Sequence, residues 1–279
     1  MMTVTAPAKI NLSLRILGKR EDGFHEIDTV MAPLDLADEI HFANSRTTTL
    51  LCDAPGVPTD ESNLVMKAVR LFEREYGKKA KQKINLVKRI PAGAGLGGGS
   101  SDAVQTLLAL NEIIGTGYSS EKMAALAAEL GSDTSFFLHP AVSRCTGRGE
   151  QVELLEALAG WTSPIVVLKP SFGIATPDAY RRWADSRPVE GFSYAEQNAD
   201  GVILVNDLER PAFEKYPFLG MMKQWLLRQD GVKGALMSGS GSSMFALTGS
   251  PDEAQAIAQK AVAELDPTLF VWTGIVNPQ

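Results

Sequence analysis

Two segments of the chain carry residue types that can do chemistry at short range. The first is Pro91-Ala92-Gly93-Ala94-Gly95-Leu96-Gly97-Gly98-Gly99-Ser100-Ser101-Asp102, with five glycines in the seven positions from Gly93 to Gly99. Glycine admits positive φ and has no Cβ to hold a ligand away, so successive backbone N–H groups can turn inward around phosphate oxygens. A helix opening near Ser101 adds unpaired N–H groups and the positive end of its dipole. Ser100 and Ser101 add hydroxyls for a phosphate or Mg²⁺. A flexible turn is the plainer reading, but glycines this dense, ending in paired serines at a helix start, favour phosphate binding. No lysine follows as in a Walker A loop, and no βαβ unit follows as in a dinucleotide fold. The second segment is Lys9 to Ile16. Polar Lys9, Asn11, Ser13 and Arg15 alternate with apolar Ile10, Leu12, Leu14 and Ile16. That period of two predicts a half-buried strand with Lys9 and Asn11 side by side on one face.

The elements that must position these residues are legible in outline. Helical spacing runs from Leu64 to Phe72 with Gly77 as C-cap. A strand from Ile84 to Val87 leads into Pro91 and the glycine stretch. Ala103, Leu107, Leu110 and Ile114 recur at helical spacing up to Gly115, and a further helix spans about Glu121 to Leu130. An apolar strand, Ile165 to Leu168, follows a loop at Leu154 to Thr162, which sets the expected division into units of residues 1–155 and 156–279. Thr176-Pro177 reads as an N-cap with proline at the first helical position. Ser250-Pro251-Asp252-Glu253 reads as a capping box. Strands and helices mix without regular alternation, predicting an α+β fold of two domains with a cleft between them.

Composition narrows the class. The chain has 279 residues, 44% apolar and 22% charged, and a net charge of −6, so it can bury a core without metal or disulfide. That charge argues against a general binder of nucleic acid or membrane surface. The two cysteines and three histidines lack metal-ligand spacing. With no secretory signal pattern and no apolar stretch long enough to span a bilayer, a cytoplasmic location is expected. A monomer or weak homodimer is the expected state.

Three segments in order resemble the superfamily of galactokinase, homoserine kinase, mevalonate kinase and phosphomevalonate kinase (GHMP kinases). They are Ala6-Pro7-Ala8-Lys9-Ile10-Asn11-Leu12, the glycine loop, and Gly234-Ala235-Leu236-Met237-Ser238-Gly239-Ser240-Gly241-Ser242-Ser243. Asp22-Gly23-Phe24-His25, Gly131-Ser132-Asp133, Thr146-Gly147-Arg148-Gly149-Glu150, Thr176-Pro177-Asp178-Ala179-Tyr180 and Asn206-Asp207-Leu208-Glu209 resemble the branch that acts on a cytidylated methylerythritol. Ser135 departs from the proline found in many bacterial members and is more like the plastid and related forms.

The resemblance implies an ATP-dependent kinase acting on an alcohol. ATP would lie over Pro91, Gly93, Gly95, Leu96, Gly97, Gly98, Gly99, Ser100 and Ser101, with Lys88 at the nucleotide's edge. Mg²⁺ would be held mainly by phosphate oxygens and water, since no distinct acidic ligand is evident. Asp133 matches the family's catalytic base and Lys9 its active-site lysine. Phe24, His25 and Tyr180 match a cytosine pocket, and Asn11, Thr176, Ser238, Gly239 and Ser240 match substrate contacts. Each has a plainer reading. Asp133 could cap the segment Ser135-Phe136-Phe137, Lys9 could be solvated, Lys88-Arg89 could be an exposed strand end, and the aromatic residues could belong to the core. Other kinases of the superfamily, of homoserine or mevalonate type, and a nucleotide-sensing protein without catalysis are the rival functions.

Overall fold

The structure is a computed structural model and describes residues 1–278. Twelve strands and seven α-helices are found among the described residues. Two long strands organise them. β1 (Met2–Lys19) and β2 (His25–Asn44) form an antiparallel hairpin along nearly their whole length. The far edge of β2 is shared in turn by three partners. Residues 27–31 pair with β5 (Ser143–Gly147), Leu34 with β12 (Phe270–Val276), and residues 39–44 with β4 (Gln82–Val87). On its other side β1 pairs in parallel with β9 (Val202–Asn206) at Ser13 and Leu14. Strand pairing therefore runs unbroken from the first half of the chain into the second.

In the first half, α1 (Leu64–Tyr76), α2 (Gly98–Ile114) and α3 (Ser120–Leu130) cover one face of the sheet. Phe42, Phe72, Ile84, Leu107 and Leu110 are fully buried between them. The helices stand where apolar spacing places them. Asn63 caps α1 through its side chain, Ser119 caps α3, and Gly77 and Gly115 close α1 and α2 in the left-handed conformation. In the second half, β7 (Ser163–Lys169), β10 (Val232–Met237), β11 (Met244–Thr248) and β12 form an antiparallel sheet in the order 10-11-7-12. α4 (Thr176–Trp183), α5 (Glu209–Lys215), α6 (Pro217–Leu227) and α7 (Pro251–Glu264) enclose its core around Val166, Phe213, Leu219 and Met222. Ser250 caps α7 by accepting from the Glu253 amide.

Three local readings are corrected. β1 is not half-buried where it matters: from Ala8 to Leu12 both faces are buried, because the glycine loop covers the polar one. α2 begins at Gly98, not near Ser101, so Gly98 and Gly99 are its first helical residues and Gly97 is its N-cap. In α4 the N-cap is Ala175, and Thr176 is already helical.

Candidate active site

One cavity of about 1060 Å³ gathers most of the candidate residues, lined by both halves of the chain. At one end lies the glycine loop. Gly93, Gly95 and Gly97 all have positive φ, the conformation that favours glycine. Gly95 is also fixed by contact, since a Cβ there would stand 2.1 Å from the Ser238 carbonyl oxygen. The loop is clamped from two sides. The Lys9 amide donates to Leu96 O at 2.9 Å, and the Ser243 amide donates to Ala94 O at 3.1 Å. The first turn of α2 then presents its N–H groups and the Ser100 side of the helix to the cavity.

The second glycine–serine loop supports the first. Asn206, at the end of β9, donates to Met237 O at 2.7 Å and Gly239 O at 2.8 Å, and Glu209 accepts from the Met237 amide at 3.0 Å. Glu209 is fully buried beside Lys223. The Asn206-Asp207-Leu208-Glu209 segment thus holds the turn after β10, and Asp207 ties the same segment to β1 by accepting from the Ile16 amide. Gly239 and Ser240 line the cavity, and Ser240 shares a 2.9 Å hydrogen bond with Thr176. Ser238 does not line it: its hydroxyl donates inward to Gly95 O.

Midway along the cavity Lys9 meets Asp133. The ammonium lies 3.5 Å from the Asp133 carboxylate and donates to Asn11 Oδ1 at 2.6 Å and to Gly95 O at 3.1 Å. Lys9 is 2% exposed, so it is not a solvated strand residue. Asp133 stands at the N-cap position of a short 3₁₀ turn, Thr134–Leu138, yet its side chain caps nothing. Its carboxylate points to Lys9 and the cavity, which removes the plainer reading of a cap. Asn11 is itself held in place: its Nδ2 donates to Thr29 Oγ1 at 2.8 Å while its Oδ1 holds Lys9. Asn11 therefore orients Lys9, and with one N–H and one lone pair still open it also faces the cavity.

The other end of the cavity is aromatic. His25 and Tyr180 have ring centroids 5.2 Å apart, tilted by 34°, and His25 meets Trp183 edge-on at 6.0 Å. Burial, with the charge of Lys19, pushes the His25 pKa down, leaving a neutral ring at pH 7 with one donor and one acceptor nitrogen. Burial, with the charge of Asp133, raises the Tyr180 phenol. Phe24 is 48% exposed on the turn between β1 and β2, and the Arg148 guanidinium lies 4.8 Å over its ring.

Two nucleotide-end candidates differ from the reading of their segments. Lys88 lines the cavity but is neither a strand end in water nor a free cation. It is buried and ion-paired with Asp38 and, at 2.8 Å, with Asp102. Burial opposes its charge, but Asp102 and Asp38 outweigh burial and raise its pKa. Burial raises the Asp102 carboxyl, Lys88 opposing and Asp38 adding to the rise. Asp38 also accepts from the Arg89 and Ile90 amides, so the triad fixes the chain entering the glycine loop. Ser101 is fully buried, with a hydroxyl that finds no partner, and lies away from the cavity lining. Starting α2 three residues early turns it inward. Among the described residues no group of three or more His, Cys, Asp or Glu side chains forms a metal cluster.

Sequence reasoning missed Trp183, Arg148 and the wall from Val57 to Leu64 beside the glycine loop. Arg148 stood inside a matched segment. The 57–64 wall has ordinary loop composition, and only the fold brings it to α2, where Leu64 lies 3.2 Å from the position of a Cβ on Gly99.

Comparison with known proteins gives the class. The model of the GHMP kinases N terminal domain matches residues 63–140, and that of the GHMP kinases C terminal domain matches residues 193–266. The fold and the two matched domains together are those of a GHMP kinase. A mevalonate kinase from Methanococcus jannaschii shares the fold at TM-score 0.71 and 13% identity, over 100% of this chain and 98% of that one. Much nearer are 4-diphosphocytidyl-2-C-methyl-D-erythritol kinases. The protein from Protochlamydia amoebophila is 43% identical over 87% of this chain and 83% of its own length. That from Methylacidiphilum infernorum is 40% identical over 95% and 93%. A crystal structure of 4-(cytidine 5'-diphospho)-2C-methyl-D-erythritol kinase superposes with TM-score 0.80 at 35% identity, covering both chains completely. The chain belongs to the 4-diphosphocytidyl-2-C-methyl-D-erythritol kinase family.

Proposed function

We propose that the protein transfers the γ-phosphate of ATP to the 2-hydroxyl of 4-diphosphocytidyl-2-C-methyl-D-erythritol, giving the 2-phosphate and ADP for isoprenoid precursor synthesis. The observation that carries the reading is the Lys9–Asp133 pair, placed in one cavity between a phosphate loop and a cluster of rings. ATP phosphates sit on the amides of Gly95 to Gly99 and the N-terminus of α2. The substrate hydroxyl donates to the Asp133 carboxylate, which accepts its proton as the oxygen attacks the γ-phosphorus. A new O–P bond forms, the bond to the β–γ bridging oxygen breaks, and ADP departs. Lys9 binds Gly95 O as well as Asp133, so its charge holds the base in register with the loop. Residues 1–155 supply the loop and this pair, and residues 156–279 supply Tyr180 and the second loop.

Mg²⁺, when bound, neutralises charge on the transferring phosphoryl group. The chain fits it with a hydroxyl, Ser100, on the first turn of α2 and leaves its remaining ligands to phosphate and water. Among the described residues no helix is long and apolar enough to cross a membrane. We assign the protein to a reducing compartment, the cytoplasm, on its two cysteines, both unpaired.

Tyr180, His25 and Phe24 form the base pocket, with neutral His25 able to match the donor and acceptor on the cytosine edge. Tyr180→Ala raises KM for the cytidylated substrate about 10- to 100-fold, the loss expected of one stacking platform, and leaves KM for ATP nearly unchanged. Wild-type kcat/KM for the uridylated analogue falls at least about tenfold, because its edge leaves polar groups unpaired. Steady-state kinetics with both substrates checks this. Equal use of the two bases with an indifferent Tyr180 would return the choice to another kinase of the superfamily, of homoserine or mevalonate type. A nucleotide sensor would show no turnover at all.

A further inference from the structure

The cations lining the cavity are unequally neutralised. Among the described residues they are Lys9, Lys19, Lys88, Arg148 and Arg181. Lys9 is paired with Asp133, Lys88 with Asp38 and Asp102, and Arg181 with Asp178. Arg148 has no guanidinium hydrogen bond, and its nearest carboxylate oxygen, on Glu150, is 3.9 Å from Nε. Lys19 has no carboxylate partner, and it flanks His25, whose pKa it helps to lower. The cations least tied by hydrogen bonds therefore gather at the aromatic end, away from the glycine loop, with Glu150 and Asp22 as the carboxylates whose charge reaches Arg148.

Arg148 is also held in place. Its turn, between β5 and β6 (Gln151–Leu154), is closed by the Arg148 amide donating to Glu150 Oε2 at 2.6 Å, with Gly147 and Gly149 at positive φ. Gly149 lies against Asp133: a Cβ there would be 3.3 Å from Oδ1. On its other side the guanidinium covers Phe24. Stacking on a ring occupies the face of a guanidinium and leaves its N–H edge free for oxygen. Arg148 thus stands between the aromatic pocket and the base that faces the reacting hydroxyl.

We infer that Arg148, assisted by Lys19, binds the diphosphate of the substrate and makes the enzyme specific for a nucleoside diphosphate ester over a bare nucleoside or polyol. The inference rests on the proposed function, in which base and hydroxyl occupy the two ends of this path and two phosphates must lie between them. A fork of N–H donors suits phosphate oxygens in a two-point contact.

The test compares wild type with Arg148→Gln and Arg148→Lys. It measures inhibition by cytidine 5'-diphosphate and by cytidine, together with KM for the cytidylated substrate and for ATP. Arg148→Gln should weaken cytidine 5'-diphosphate and raise substrate KM about 10- to 100-fold, as expected for lost charge-assisted hydrogen bonds. Cytidine inhibition should change less than about threefold. Arg148→Lys should recover part of the loss, which a misfolded turn would not. Equal losses for cytidine and its diphosphate would overturn the inference by assigning Arg148 to the Phe24 ring alone. A rise in KM for ATP instead would overturn it by placing Arg148 on the phosphate donor. A wild type inert toward the cytidylated substrate would reject the proposed function and this inference together. An active wild type whose Arg148→Gln variant keeps the preference for the diphosphate rejects this inference only.

Discussion

Asp133→Asn should lower kcat by at least about a hundredfold, the contribution expected of a positioned general base. The substitution keeps the size of the side chain and removes only the proton acceptor. Because the wild-type side chain makes no cap hydrogen bond, the 3₁₀ turn beneath it should not loosen, and any fall in the thermal midpoint should come from buried Lys9 losing its carboxylate partner. The glycine loop proposed to hold ATP is likewise untouched, since Lys9 keeps its bonds to Asn11 and Gly95 O. The loss should therefore fall on kcat, with KM for ATP little changed, the pattern of an interaction made in the transition state. Single-turnover kinetics at saturating substrate separates the chemical step from product release. Near-wild-type turnover would deny Asp133 the role of base.

The largest effect on stability is expected at Lys88. Its ammonium is 8% exposed between two carboxylates that are 0% and 4% exposed. Lys88→Met preserves most of the aliphatic stem and leaves Asp38 and Asp102 facing one another without a cation. Breaking a buried pair from one side costs about 3–5 kcal/mol. Asp38 keeps two backbone donors, at Arg89 and Ile90, so the unrelieved charge should fall mainly on Asp102, which already has one oxygen without a partner. Adding Asp102→Asn should recover part of the loss. Equilibrium urea unfolding of the single and double variants gives both numbers. A single variant within about 0.5 kcal/mol of wild type would mean that the triad contributes little net stability.

The residues that were legible in the sequence are those whose role is fixed by local geometry. Alternation alone placed Lys9 and Asn11 on one face, and the 2.6 Å bond between them follows from that spacing. Glycine density marked the tight loop because Gly93, Gly95 and Gly97 need positive φ, a demand local to the chain. Gly77, Gly115 and Ser250 marked helix ends for the same reason, while the caps Asn63 and Ser119 emerge only in the structure. What could not be read depends on contacts far apart in sequence. Asp38 is 50 residues from Lys88, and Ser238 is 143 from Gly95, the carbonyl it supports. Nothing in either neighbourhood announces the other, so Lys88 read as a residue at the nucleotide's edge, with an exposed strand end as the plainer alternative, and Ser238 as a substrate contact. The early start of α2 has a subtler cause. Gly98 and Gly99 are poor helix formers by propensity, but Ile90, Lys88 and Leu64 crowd the space where their Cβ atoms would stand. Close packing against Ile90, more than loop conformation, favours glycine at 98, and Leu64 leaves little room for a side chain at 99. Asp133 was legible only through its motif, because an aspartate before a short helical turn is ordinarily a cap.

This cavity is proposed to phosphorylate a cytidylated alcohol. Coupled ADP release, measured with 4-diphosphocytidyl-2-C-methyl-D-erythritol beside mevalonate, homoserine and galactose at equal concentration, tests it most directly. ADP release dependent on the cytidylated substrate, with the other three at the background rate of ATP hydrolysis, is the predicted result. Turnover of mevalonate, homoserine or galactose at a rate equal to or above that of the cytidylated substrate would contradict it.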